Sequence, residues 1–99
     1  MDDFEWDPKK ELLNIHDHHL DFTTASRIWD GNVYERLDDR RDYGESRIVA
    51  IGEIAGRASV VVFTWRGEIR RMISARKANA REKRRFEAEI QKRRNEAET

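Results

Sequence analysis

The sequence predicts an α+β domain. It has a small antiparallel sheet, a three- to four-strand meander plus a short N-terminal strand, with two helices before the meander and one after it. Three observations carry this reading. Residues 58–76 join a β-branched run, Val60-Val61-Val62-Phe63-Thr64, to a turn signal at Arg66-Gly67 and then to a second stretch holding Ile69, Met72, Ile73 and Ala75. Such residues fit a pleated, half-buried surface, and glycine lets the chain reverse, so the stretch reads as the central hairpin. Two amphipathic segments precede it. A breaker-free segment rich in Ala, Glu, Lys and Arg follows it and reads as a helix.

Ninety-nine residues allow one domain with one modest core. We expect a single domain over residues 1–99, compact over about 3–90, with 91–99 frayed or projecting. Apolar residues make up 37% and charged residues 40%, but the apolar ones cluster, which favours a folded chain with a charged tail over a disordered one. The chain has no cysteine, hence no disulfide and no thiolate metal site. No apolar run approaches a membrane span, and the acidic N-terminus is unlike a signal peptide, so a cytoplasmic protein is expected. A net charge of zero conceals an asymmetry: residues 1–45 carry 6 Lys/Arg and 13 Asp/Glu, net −7, whereas residues 46–99 carry 14 and 7, net +7. The second half can present a basic surface to nucleic acid or to an acidic partner, or simply a solvated one.

In chain order, Phe4 and Trp6 alternate with Glu5 and Asp7 as in a short strand. Asp7 then caps a helix with Pro8 in its first turn, running to about His16 with Leu12, Leu13 and His16 inward. His16, His18 and His19 do not make a metal site, because 16 and 18 point to different sides of a helix and no third ligand follows at a recognisable spacing. One of them near the helix C-terminus is favoured as a cation by the dipole. Residues 21–30 form a second short helix, with Thr23 as its cap, a stripe of Phe22, Ala25, Ile28 and Trp29, and Gly31 as its stop. A strand around Val33-Tyr34 or Leu37 is an edge at best. A charged loop over residues 38–45 leads to a strand over 46–54 and a turn at Ala55-Gly56-Arg57. The last helix, from Asn79 to about Ala97, docks through Phe86 and Ile90.

Three blocks of the chain resemble the BrnT family, toxins of type II toxin–antitoxin modules with a RelE-like fold. The first is Phe4-Glu5-Trp6-Asp7-Pro8 with Lys10, Asn14, His18 and Phe22. The second is Tyr43-Gly44-Glu45-Ser46-Arg47 followed by Ile51-Gly52. The third runs from Val60 through Thr64, Arg66-Gly67 and residues 71–78 to Glu82. The chain departs from the family pattern at Asp17, where the family has lysine, and at His19, where it has glycine. The resemblance implies a metal-independent endoribonuclease without a cofactor. It would inhibit translation, with or without the ribosome, and be neutralised by a cognate BrnA-like antitoxin, through which alone it would meet DNA. A non-catalytic relative that pairs with an antitoxin or holds nucleic acid is the alternative.

Metal-free RNA cleavage uses the ribose 2′-OH as nucleophile. It needs a base, a cation for the phosphorane and an acid for the leaving oxygen. Arginine suits the second task, because its planar fork pairs with phosphate oxygens and stays charged. By resemblance the catalytic candidates are Lys10, His18, Arg71 and Arg76, and the RNA-binding candidates are Arg47, Thr64, Arg66 and Ser74. Glu45 is a further acid–base candidate, or else a partner for Arg47; His18 is a proton carrier, or else a helix cap. Strand parity separates two of these residues: in a regular strand Arg71 and Arg76 face opposite sides, and they share a site only if the strand ends or bulges near Ser74.

Overall fold

A computed structural model of the chain describes residues 3–38 and 44–98. The expected charged loop falls mostly on residues 39–43, outside the described residues. Five strands form one mixed sheet: β1 (Asp3–Trp6), β2 (Val33–Asp38), β3 (Arg47–Ile54), β4 (Arg57–Arg66) and β5 (Ile69–Lys77), in the order β1-β5-β4-β3-β2. β2 to β5 are an antiparallel meander, as expected, and β4 is central. β1 adds to β5 in parallel, with Phe4 opposite Arg70 and Trp6 opposite Met72. β2 is the other edge.

The turns follow local chemistry. β3 and β4 are joined by Ala55 and Gly56, both at positive φ (51° and 78°), the requirement of a two-residue type I′ hairpin. The β4–β5 turn is Gly67-Glu68, one residue later than the sequence suggests, because Arg66 still pairs with Ile69 and only Gly67 takes positive φ (61°).

Two helical layers cover the sheet. On one face, α2 (Phe22–Ala25) runs into a 3-10 turn, Ser26–Asp30. Phe22, Ala25 and Ile28 are fully buried there against Ala50, Ile54, Val61, Phe63, Met72 and Ala75, so the expected stripe is the core. Asp21, not Thr23, caps α2, because its carboxylate accepts from the Thr24 amide at 2.7 Å. On the other face α3 (Ala80–Ala97) sets Phe86 onto Val49, Ile51 and Val60, with Ile90 at the margin. Asn79 and Glu82 form a capping box at its start. From Gln91 to Glu98 every residue is exposed.

α1 (Pro8–His18) departs most from its sequence reading. Leu12 and Leu13 are 69% and 63% exposed, His16 is exposed, and the residue α1 buries is Asn14. The reason is what the helix meets. α1 lies beside β5, beyond the end of β1, so it faces a strand's edge and not an apolar surface. The Asn14 side chain accepts from the Ala75 amide through Oδ1 and donates to the Ala75 carbonyl through Nδ2, both at 2.9 Å, and donates to Leu20 O at 2.8 Å. One side-chain amide thus replaces a missing strand. The helix ends at His19, in the left-handed region (φ 56°), its N–H on Ile15 O. A glycine there would avoid a steric cost of about 1 kcal/mol.

Two predictions follow from this packing. Asn14→Leu leaves the Ala75 N–H and C=O buried without partners and should lower unfolding free energy by about 2–4 kcal/mol. Leu12→Ala, on the exposed side of the same helix, should change it by less than about 0.5 kcal/mol; urea denaturation of both variants checks the contrast. The second prediction concerns acid. Asp21 is held below the usual carboxylate range chiefly by the Thr24 amide, and Glu82 chiefly by its hydrogen bonds from Arg76. Both are ionised more readily folded than unfolded. Their stabilisation is therefore full above the unfolded pKa of about 4 and is lost as pH falls through the lower folded values. Glu82→Gln should be less stable than the parent at neutral pH and show a flatter decline below about pH 4, read from urea midpoints against pH.

Candidate functional site

The site is built by one irregularity in β5. Val62 pairs with Ser74 but its neighbour Phe63 pairs with Met72, so Ile73 is an extra residue that bulges the strand. A bulge switches the alternation. Upstream of it Arg71 stands opposite Thr64, and downstream Ser74 and Arg76 stand opposite Val62 and Val60. Thr64, Val62 and Val60 share one side of β4, so Arg71, Ser74 and Arg76 project together. Arg66 follows the same parity on β4. Arg47 does so on β3, since Ile48 opposite Phe63 puts Arg47 beside Thr64. This is the face that α3 covers, with Phe86 and Ile90 in one cluster with Tyr34, Val49, Ile51, Val60 and Val62.

Each fork is held. Arg71 pairs with Glu5, its neighbour across the β1–β5 ladder. Arg76 is bidentate on Glu82, Nη1 to Oε1 and Nη2 to Oε2, both 2.8 Å, and its Nη1 also reaches Lys77 O at 3.3 Å. Glu82 is only 14% exposed and accepts the Asn79 amide as well, so the same carboxylate starts α3 and fixes Arg76. Arg66 reaches Glu45 at 3.4 Å, which makes Arg66, and not Arg47, the partner of Glu45. Thr64 is 3% exposed and its hydroxyl donates to Ser46 O at 2.7 Å, so it braces β4 on the start of β3.

α1 closes the β5 end. Lys10, Leu13, Asn14, Asp17 and His18, one side of that helix, line a shallow cleft with Ile73 and Ser74. Lys10 and His18 are exposed there. His18 lies in the last turn but does not cap it; His19 does. The Asn14 anchor on Ala75 sets where this amine and imidazole stand relative to the bulge. Sequence reasoning brings Lys10, His18, Arg71, Ser74 and Arg76 forward, and the structure gathers them on and beside β5. It misses Glu5, Glu82 and Asn14 as the groups that hold them. For Glu82 a signal exists, the N-x-x-E spacing of a capping box. For Glu5 and Asn14 none exists, because their partners are set by a parallel register and a sheet edge.

A cationic face of arginines with an imidazole and an amine at one end is suited to binding a phosphodiester and moving protons beside it. A search of curated proteins returns no match. A family model described as the ribonuclease toxin BrnT of type II toxin–antitoxin systems matches residues 6–82. That span runs from Trp6 at the end of β1 to Glu82 in the first turn of α3, and so takes in Lys10, His18 and the whole face from Arg47 to Arg76. With more than half of its length matched, this chain belongs to the BrnT family of ribonuclease toxins.

Proposed function

We propose that the chain is a metal-independent endoribonuclease that inhibits translation and is neutralised by a cognate antitoxin. The observation that carries this reading is the bulge at Ile73, which sets Arg71, Ser74 and Arg76 on one open face beside the Lys10–His18 cleft. In this reading the scissile phosphate lies over β5. Arg71 exchanges Glu5 for a phosphate oxygen and stabilises the charge that grows on the phosphorane. Arg76, fixed by Glu82, donates to the same phosphate through its remaining N–H groups. Lys10 and His18 serve the 2′-OH and the leaving 5′ oxygen. Arg47 and Arg66 hold neighbouring backbone.

A second reading, a module that holds an antitoxin or RNA without cutting, is favoured by the same ion pairs. Arg71 and Arg76 already grip carboxylates of their own chain, so a phosphate must compete with Glu5 and Glu82. Incubation with RNA in the presence of EDTA separates the two. Cleavage supports the enzyme; binding without cleavage supports the module.

Arg71→Ala should lower the cleavage rate by about 10²-fold or more. Arg76→Lys, which keeps the charge but loses the fork, should preserve binding better than turnover. Arg84→Ala and Arg93→Ala on α3 should weaken binding only, with a loss that is largest at low salt and shrinks as salt rises. Single-turnover assays on variants with native circular dichroism check these outcomes; wild-type rates in folded Arg71→Ala place the chemistry elsewhere. The antitoxin is proposed to cover α1, because Leu13 is at once a large exposed apolar residue and a lining residue of the Lys10–His18 cleft. Leu13→Asp should weaken the toxin–antitoxin complex at least about tenfold in a titration, while leaving cleavage by the free toxin measurable.

A further inference from the structure

Arg36 also stands on this face, outside the ion pairs of Arg66, Arg71 and Arg76. Arg36 lies on the edge strand β2 opposite Val49, and Val49 lies opposite Val62, which lies opposite Ser74. Residues opposite one another in antiparallel ladders share a face. Arg36, Val49, Val62 and Ser74 therefore form one row across four strands, on the side that carries Arg47, Arg71 and Arg76. Arg36 is exposed, and no ion pair joins it to another described residue. Its charge nonetheless reaches the middle of the site, because it helps to hold the Glu82 carboxyl ionised. Three strand spacings separate β2 from β5, about 14 Å, more than one nucleotide of an extended strand covers.

We propose that Arg36 is a further RNA-contacting residue. It grips a backbone phosphate away from the scissile one, so that single-stranded RNA runs from β5 towards β2 around α3, whose Phe86 packs on Val49, instead of following the strands. This rests on the ribonuclease reading and adds the direction of the substrate to it. The physical argument is that Arg66, Arg71 and Arg76 must each give up or share an ion-paired carboxylate to meet a phosphate, whereas Arg36 breaks no ion pair and only weakens its longer-range attraction to Glu82. The competing explanation is that a charge on an edge strand only discourages pairing with other chains. That role would show itself in aggregation and not in RNA affinity.

The test uses a fluorescent single-stranded oligoribonucleotide with every 2′-OH methylated, which removes the nucleophile and leaves the phosphates. Its affinity for the wild type, Arg36→Ala, Arg36→Lys and Arg57→Ala is measured by anisotropy across a salt series. Arg57, at the far end of β4 by the β3–β4 turn, is the control. Arg36→Ala should bind about three- to tenfold more weakly, with the slope of log Kd against log salt smaller by about 0.7. Arg36→Lys should recover most of the affinity, and Arg57→Ala should match the wild type. On unmodified RNA, Arg36→Ala should raise KM and leave kcat unchanged, since the contact is the same in ground and transition states. Equal affinity and equal salt slope in Arg36→Ala and wild type overturn the proposal while cleavage by both leaves the ribonuclease reading intact. Failure of the wild type to bind the oligonucleotide overturns the proposal, and its failure to cleave unmodified RNA as well overturns both.

Discussion

The functional face depends on Ile73 being one residue too many. A regular β5 would send Arg71 and Arg76 to opposite sides of the sheet, one towards α3 and the other into the core beneath α2. The bulge turns this conflict into a shared face. A bulge also leaves a strand edge poorly paired, and here β1 has already ended at the level of Met72. The Asn14 amide takes over three residues further on, satisfying both backbone groups of Ala75. Bulge and amide are thus one device. The first re-aims the side chains, and the second repairs the edge and brings α1 to the place that has been re-aimed.

The second constraint is electrostatic. Several arginines within a few strand spacings repel one another, and the chain answers with a carboxylate for each of three: Glu5 for Arg71, Glu45 for Arg66 and Glu82 for Arg76. These pairs differ in consequence. Glu82 is nearly buried, bidentate and tied to the first turn of α3, so Arg76 is held in one orientation. Glu5 and Glu45 are about one-third exposed or more, where an ion pair contributes little and exchanges readily. An anion arriving on the face therefore meets one fixed fork and two that can be recruited.

Much of the fold was legible because each element states its period locally. The β-branched run at 60–64, the stripe of Phe22, Ala25, Ile28 and Trp29, and the capped, breaker-free helix from Ala80 all fold as their patterns say. The largest misreading has a tertiary cause. Leu12 and Leu13 look like an inward stripe, but a helix beside a strand edge buries what can bond to backbone, and only tertiary placement reveals that α1 is such a helix. The parity of Arg71 and Arg76 is open in the sequence for a related reason. Nothing in Met72-Ile73-Ser74 marks a bulge, because no glycine or proline is needed when the extra residue takes an ordinary conformation. His19 is the reverse case. The family pattern asks for glycine there, and the left-handed φ of 56° shows the physical demand behind it.

The same view recasts the charge split between the two halves of the chain. On composition, a net −7 followed by a net +7 suggests a basic surface assembled by the second half. In the fold, the acidic half supplies β1, α1 and the approach to β3, all of which border the arginines of β4 and β5. Two of the three carboxylates that hold the face, Glu5 and Glu45, come from that half. The parallel pairing of β1 with β5 sets Glu5 beside Arg71, the residue sequence neighbours could never supply. The asymmetry along the chain is therefore a pairing device. It lets a small sheet carry a dense row of arginines without losing stability to their repulsion, and it keeps each of those three arginines beside a carboxylate of its own chain.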